Sequence, residues 1–111
     1  MGSQTQFVKG VLELCVLQII SKEPTYGYAI LTELQKSSYS DLTESTLYPL
    51  LFRLEQHKDV TVERRPSPNG PSRKYCTITK HGRETLSEYW KSWQQVCELV
   101  STVFQKGAPY E

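Results

Sequence analysis

Arg64 and Arg65 precede a proline-rich turn, Pro66-Ser67-Pro68-Asn69-Gly70-Pro71, and Arg73 and Lys74 follow it. Guanidinium forks match phosphate oxygens in pairs and an ammonium adds a point charge, so four cations flanking one turn suit a clamp for a polyanion. Upstream, Thr43-Glu44-Ser45-Thr46 opens a segment that continues through Tyr48 to Arg53. Short hydroxyls at a helix start reach phosphates or base edges without long side chains to order, and the unpaired amides there attract anions. Lys80 and Arg83 are weaker cationic candidates.

Catalytic chemistry has no comparable support. His57 and His81 lie far apart, no H-E-x-x-H or C-x-x-C spacing occurs, and no glycine-rich phosphate loop follows a strand. Cys15, Cys76 and Cys97 are widely spaced within apolar patterns and lack a neighbouring base, so they read as buried packing residues. The expectation is a protein with no catalytic residue, metal or cofactor.

The chain has 111 residues with 38% hydrophobic and 23% charged side chains, the composition of one small folded domain. Its net charge of +1 conceals a division. Residues 1–52 carry three lysines against five acids, residues 53–83 eight cations against three acids, and residues 84–111 two lysines against four acids. The basic middle third coincides with the turn and its flanks, as an electrostatic footprint for a polyanion would. The longest near-apolar run, residues 11–20, is interrupted by Glu13 and Gln18, too short for a membrane span. The first residues lack the basic start and cleavage site of a signal peptide, so a cytoplasmic location is expected.

Elements must position these groups. Val8, Val11, Leu12, Cys15, Val16 and Ile19 recur at spacings that predict a helix over residues 6–21. Glu23-Pro24 ends it, and Thr25 is expected to cap a second helix reaching about residue 36, with Gly27 allowing a close helix crossing. A third helix is expected over 43–57 with Leu47, Leu50, Leu51 and Leu54 inward, and Pro49 predicts a bend or a late start. Alternation from Val60 and again from Arg73 to Thr79 predicts two strands of a projecting hairpin, whose Asn69-Gly70 tip suits a positive dihedral. Thr79 then caps a last helix. Along it Leu86, Trp90, Trp93, Cys97, Val100 and Phe104 keep a seven-residue repeat, which predicts a dimerisation seam.

The expected fold is mainly α with a two-stranded β wing: a winged helix-turn-helix in residues 1–79, with the wing at about 60–79. A C-terminal dimerisation helix over 80–106 and a loose tail at 107–111 complete it. In such a fold one helix enters the major groove while the wing tracks the neighbouring backbone.

Several motifs agree. Lys9-Gly10-Val11-Leu12-Glu13-Leu14-Cys15-Val16-Leu17, Tyr26-Gly27-Tyr28-Ala29-Ile30, Thr43 through Glu55 with Thr46-Leu47-Tyr48-Pro49 at its centre, and Ser72-Arg73-Lys74-Tyr75-Cys76-Thr77-Ile78-Thr79 with Gly82 resemble the PadR family of transcriptional regulators. The resemblance covers residues 9–93. It implies a homodimeric regulator, usually a repressor, on a two-fold related DNA operator, with contacts from Ser45, Thr46 and Tyr48, from Lys9, and from Arg73 and Lys74. It also implies that the last helix packs on the partner's first helix, which brings Val8, Leu12 and Cys15 into the interface, and that Trp90 and Trp93 could line a site for a flat hydrophobic effector. The chain departs from the family at Tyr26, at Cys76 and at Lys58-Asp59-Val60, where Glu-Gly is usual and Asp59 is expected to take the left-handed backbone. Two rival readings use the same fold: a protein-interaction module whose wing meets an acidic protein, and a ligand sensor without DNA binding.

Overall fold

The computed structural model describes residues 11–37 and 42–105. Its elements run α1 (Leu12–Lys22), β1 (Thr25–Tyr26), α2 (Gly27–Gln35), α3 (Glu44–Gln56), β2 (Val60–Ser67), β3 (Gly70–Ile78) and α4 (Lys80–Gln105). Lys9 and Val8, and the C-terminal tail, lie outside the described residues.

The three short helices bury one apolar face each. Val16, Leu17 and Ile20 of α1, Ile30 of α2, and Leu47 and Leu54 of α3 are the best-buried large side chains of a single core. Val60, Cys76 and Ile78 close it from the sheet, because alternation along β2 and β3 puts every second residue on the helix side. Leu42 is buried ahead of α3, and its carbonyl accepts a hydrogen bond from Gln35 Nε2 at 2.8 Å.

The sheet has three antiparallel strands in the order β1-β3-β2. The third strand is an addition to the expected hairpin. Thr25 and Tyr26 pair with Cys76 and Tyr75, so Thr25 belongs to the sheet and does not cap α2, whose N-cap is Tyr26. Two residues are too few to show a period, so this strand has no alternation signal in the sequence. The wing is also longer than expected: the strands extend to Ser67 and Gly70, leaving Pro68 and Asn69 at the tip, with an irregular register between Arg65 and Ser67. Pro66 is tolerated because β2 is an edge strand, and Pro71 because β1 reaches β3 only at Tyr75 and Cys76. Neither Asn69 nor Gly70 takes a left-handed φ; Pro68 and Gly70 occupy the second and fourth positions of the turn, as in type I.

Lys58 has the single positive φ among the described non-glycine residues, 64°. The left-handed position after α3 is thus Lys58, not Asp59. The Lys58 amide donates to Glu55 O at 3.0 Å and the Asp59 amide to Leu54 O at 2.9 Å, the two bonds of a Schellman cap. Asp59 has another task. Only 4% exposed, it accepts from Thr85 Oγ1 at 2.8 Å through Oδ1 and faces His81 Nε2 at 3.5 Å. Thr79 completes the joint as expected, since its Oγ1 receives the Gly82 amide at 2.9 Å and donates to Lys58 O at 2.7 Å. Gly82 is buried because any Cβ there would overlap the Asp59 carbonyl.

The core covers α4 only along its first turns. Gly82 is buried and Leu86 half-buried, whereas each described residue from Ser87 to Gln105 is exposed. Pro49 lies inside a continuous α3, so the expected late start is not seen: Glu44 is its first residue. Cys76 is buried as expected, but Cys15 and Cys97 are exposed, the one on the outer side of α1 and the other beyond the part of α4 that meets the core.

Candidate nucleic-acid interface

The helix α3 begins on the protein surface. Thr43 has an extended backbone and its carbonyl accepts the amides of Thr46 and Leu47, both at 3.1 Å. Its hydroxyl meets Ser45 Oγ at 2.9 Å rather than capping an amide. The first-turn hydroxyls of Thr43 and Ser45 therefore stand exposed beside the helix start, with Thr46 half-buried behind them. Tyr48 follows, its ring resting on Gly27: an added Cβ would come within 2.6 Å of Tyr48 Cε1. The close crossing anticipated at Gly27 is thus a contact between the start of α2 and a side chain on the outer face of α3.

The four wing cations divide between two faces. Arg64 and Lys74 are cross-strand partners on the face that turns towards α3. There they help line a groove of about 600 Å³ whose other wall includes Tyr48 and Phe52. Arg64 Nη1 donates to Ser72 Oγ at 3.3 Å. Arg65 and Arg73 form the next cross-strand pair, based on the opposite face, although Arg73 also borders the groove. Each guanidinium lies over a tyrosine ring, Arg65 on Tyr75 at 4.7 Å and Arg73 on Tyr26 at 4.5 Å, and the two rings contact each other at 5.3 Å. Such stacking favours extended, ordered guanidinium groups. Arg65 also forms an ion pair with Glu63 at 2.8 Å, so its charge is partly neutralised. Among the described residues, Arg64, Arg73 and Lys74 carry no ion pair.

Arg53 is differently placed. Its Nη2 donates to Glu13 Oε1 at 3.1 Å, tying α3 to α1, and Tyr89 OH of α4 donates to Glu13 Oε2 at 3.2 Å. Burial first, and then the Glu13 charge, push the Tyr89 phenol above its usual value, so it remains a donor at neutral pH.

Of the residues expected at a dimer seam, Trp90, Trp93, Val100 and Phe104 are exposed, and Tyr89, Val96, Leu99 and Val103 add to the same helix an apolar surface that the repeat alone underestimated. Leu12, expected at the interface, is instead part of its own chain's core at 4% exposure. Two grooves flank the corner between α1 and α4, about 800 and 940 Å³, and Trp93 borders both. Burial raises the Cys15 thiol above its ordinary value despite its partial exposure.

A helix pair packed across a three-helix core, a hydroxyl-rich start on the second of the pair, and a cationic hairpin beside it define a winged helix-turn-helix. The model of the PadR-like transcriptional regulator family matches residues 16–88. The chain belongs to the PadR-like family. It is 42% identical to a PadR-like transcriptional regulator from Bacillus cereus, whose structure superposes with a TM-score of 0.80 over 90% of this chain and 97% of that one. It is also similar to a transcriptional regulator from Streptococcus, at 38% identity and a TM-score of 0.79 over 89% and 97%. An uncharacterised protein X of Lysinibacillus sphaericus is 30% identical over 106 residues, covering 94% of this chain and 96% of its own. The PadR-like assignment makes this a transcriptional regulator, and DNA binding is the chemistry that the family implies. No helix among the described residues is long and apolar enough to cross a membrane.

Sequence reasoning missed Phe52, Tyr28, Glu13 and the paired tyrosines Tyr26 and Tyr75. Phe52 had a usable signal, since it lies four residues after Tyr48 and outside the Leu47, Leu50, Leu51 and Leu54 row.

Proposed function

We propose that the chain is a homodimeric repressor acting on double-stranded operator DNA in the cytoplasm. The carrying observation is the groove in which the outer face of α3 meets Arg64 and Lys74 of the wing. Ser45, Thr46 and Tyr48 supply base-edge or phosphate contacts, Thr43 and the α3 start bind phosphate, and Arg64, Arg73 and Lys74 hold the backbone on either side of the wing. Residues 1–79 form the reading unit and residues 80–106 the dimerisation unit.

The exposed apolar surface of α4 supports the dimer. Large aromatic and branched side chains from Tyr89 to Phe104 stand in water in the single chain, an arrangement that association relieves. Pairing of two such helices sets two copies of α3 into successive major grooves, about 34–36 Å apart. A flat hydrophobic effector between Trp90 and Trp93 of the two subunits would alter that separation and with it the operator affinity.

Titration of the purified protein against labelled DNA from its own upstream region, with an unrelated duplex and a salt series, tests the reading. Sequence-preferring binding with two chains per site supports it. Equal weak binding to both duplexes removes that operator and favours a protein-interaction role for the wing.

A further inference from the structure

The reading face of α3 is poor in the groups that recognise purines. From Glu44 to Gln56 it has no Lys and no Asn, its one Gln is the last residue, and its one cation, Arg53, is bound to Glu13. Arg or Lys on guanine and Asn or Gln on adenine are the paired hydrogen-bond readings of the major groove. The first three turns of α3 offer neither in free form.

They present an apolar row instead. Tyr48 and Phe52, one turn apart, are 45% and 59% exposed, and Pro49 beside them is exposed as well. Tyr28, at the start of α2, lines the same groove. The wing side carries Arg64, Arg73 and Lys74, which outnumber the single acid of the lining, Glu55 of α3, so the apolar row lies beside a net cationic wall. An occupant must therefore present anionic groups and an apolar group within one groove width. Duplex DNA meets both demands, because the thymine C5-methyl is the apolar feature of a major groove lined by phosphates.

We infer that Phe52, supported by Tyr48, is a specificity residue that reads thymine methyl groups in the operator. The inference rests on the DNA-binding reading and deepens it. Phe52 carries no charge, so it adds nothing to the salt-dependent attraction for any duplex and acts only on the choice among sequences.

The test begins with duplexes selected by the full-length protein from a random-sequence pool. Each thymine in the protected region is then replaced by deoxyuridine, which removes the methyl group and leaves every hydrogen-bonding atom in place. At one or more thymines in each half-site the wild-type protein is expected to lose about fourfold in affinity per methyl, the worth of one buried methyl-sized group. Phe52→Ala should lose that discrimination, with equal affinity for the thymine and deoxyuridine duplexes, and Phe52→Leu should retain it. Tight binding to the selected duplexes with no effect of deoxyuridine anywhere would overturn the inference and leave DNA binding standing, as would undiminished discrimination in Phe52→Ala. Failure to select any duplex would overturn the DNA-binding reading and the inference together. The deoxyuridine series on the wild-type protein needs no variant, so a folding defect in Phe52→Ala would not protect the idea.

Discussion

Arg53 of the reading helix and Glu13 of the first helix meet at 3.1 Å, and the second oxygen of the same carboxylate accepts Tyr89 of the long helix at 3.2 Å. One side chain therefore links α3, the proposed reading helix, to the long helix α4. The pair is partly exposed, so its worth to stability is modest, about 0.2–1 kcal/mol. Its effect on binding should be larger. Glu13→Gln is expected to release the Arg53 guanidinium to a phosphate and steepen the salt dependence of operator binding by about 0.9 per protomer in the log–log slope. Arg53→Ala in the wild-type background should leave that slope nearly unchanged. Filter binding or fluorescence anisotropy over a salt series measures both.

The Tyr89 bond has a pH signature. Burial and the Glu13 charge raise this phenol above its usual value, so the protonated form is favoured by folding. Stability from the bond is fully present below the unfolded value near 10 and is lost as pH rises through the higher folded value. Urea denaturation of the wild type and Tyr89→Phe between neutral pH and pH 11 should show an advantage for the wild type that narrows only above pH 10.

Lys58 bears a left-handed backbone at the first position past the cap of α3, a place that helix ends in general fill with glycine. That conformation costs an ordinary L-residue roughly 1–2 kcal/mol, and glycine's greater freedom in the unfolded chain offsets part of the relief. Lys58→Gly should stabilise the fold by about 0.5–1 kcal/mol. The denaturation midpoint is the readout, and the slope of the transition should not change.

Gly82 sits where the Asp59 carbonyl and Ile78 Cγ1 leave no space, the latter 2.8 Å from an added Cβ. Because the first obstacle is backbone, it cannot swing aside. Gly82→Ala should destabilise the fold by at least the cost of an overpacked core, about 1–3 kcal/mol, and it should loosen α4 from the wing. Thermal unfolding gives the first effect and amide hydrogen exchange at the Lys80 to Thr85 turn gives the second.

Gly27 offers a contrast, since its obstacle is the mobile end of Tyr48. Gly27→Ala should fold with a small loss but displace the ring and weaken operator binding. A double-mutant cycle with Tyr48→Ala is expected to be non-additive, the second substitution adding little to the first.

Much of this molecule is readable before it folds. The leucine row of α3 and the alternation of the wing are local patterns that reflect which face of an element must leave water, and the Thr79 cap reflects the unpaired amides of a helix start. The family motifs are local too. By contrast, Thr25-Tyr26 became a strand because β3 offered it an open edge, and the left-handed residue fell on Lys58 because the cap of α3 is counted back from Leu54 and Glu55. Neither outcome has a signature in its own residues.

The site divides in the same way. That the cations gather in the wing and the hydroxyls at the start of α3 is plain from residue order, because charge and residue type need no partner to be seen. Which of them remain free depends on the folded neighbours. Glu13, forty positions away, engages Arg53, and Glu63 engages Arg65, while Arg64, Arg73 and Lys74 border the groove beside α3 without an ion pair among the described residues. Tertiary structure also set Phe52 and Tyr48 in one exposed row beside those cations. Long-range pairing selects partners through space, and spacing along the chain carries no record of a neighbour brought in by a different element.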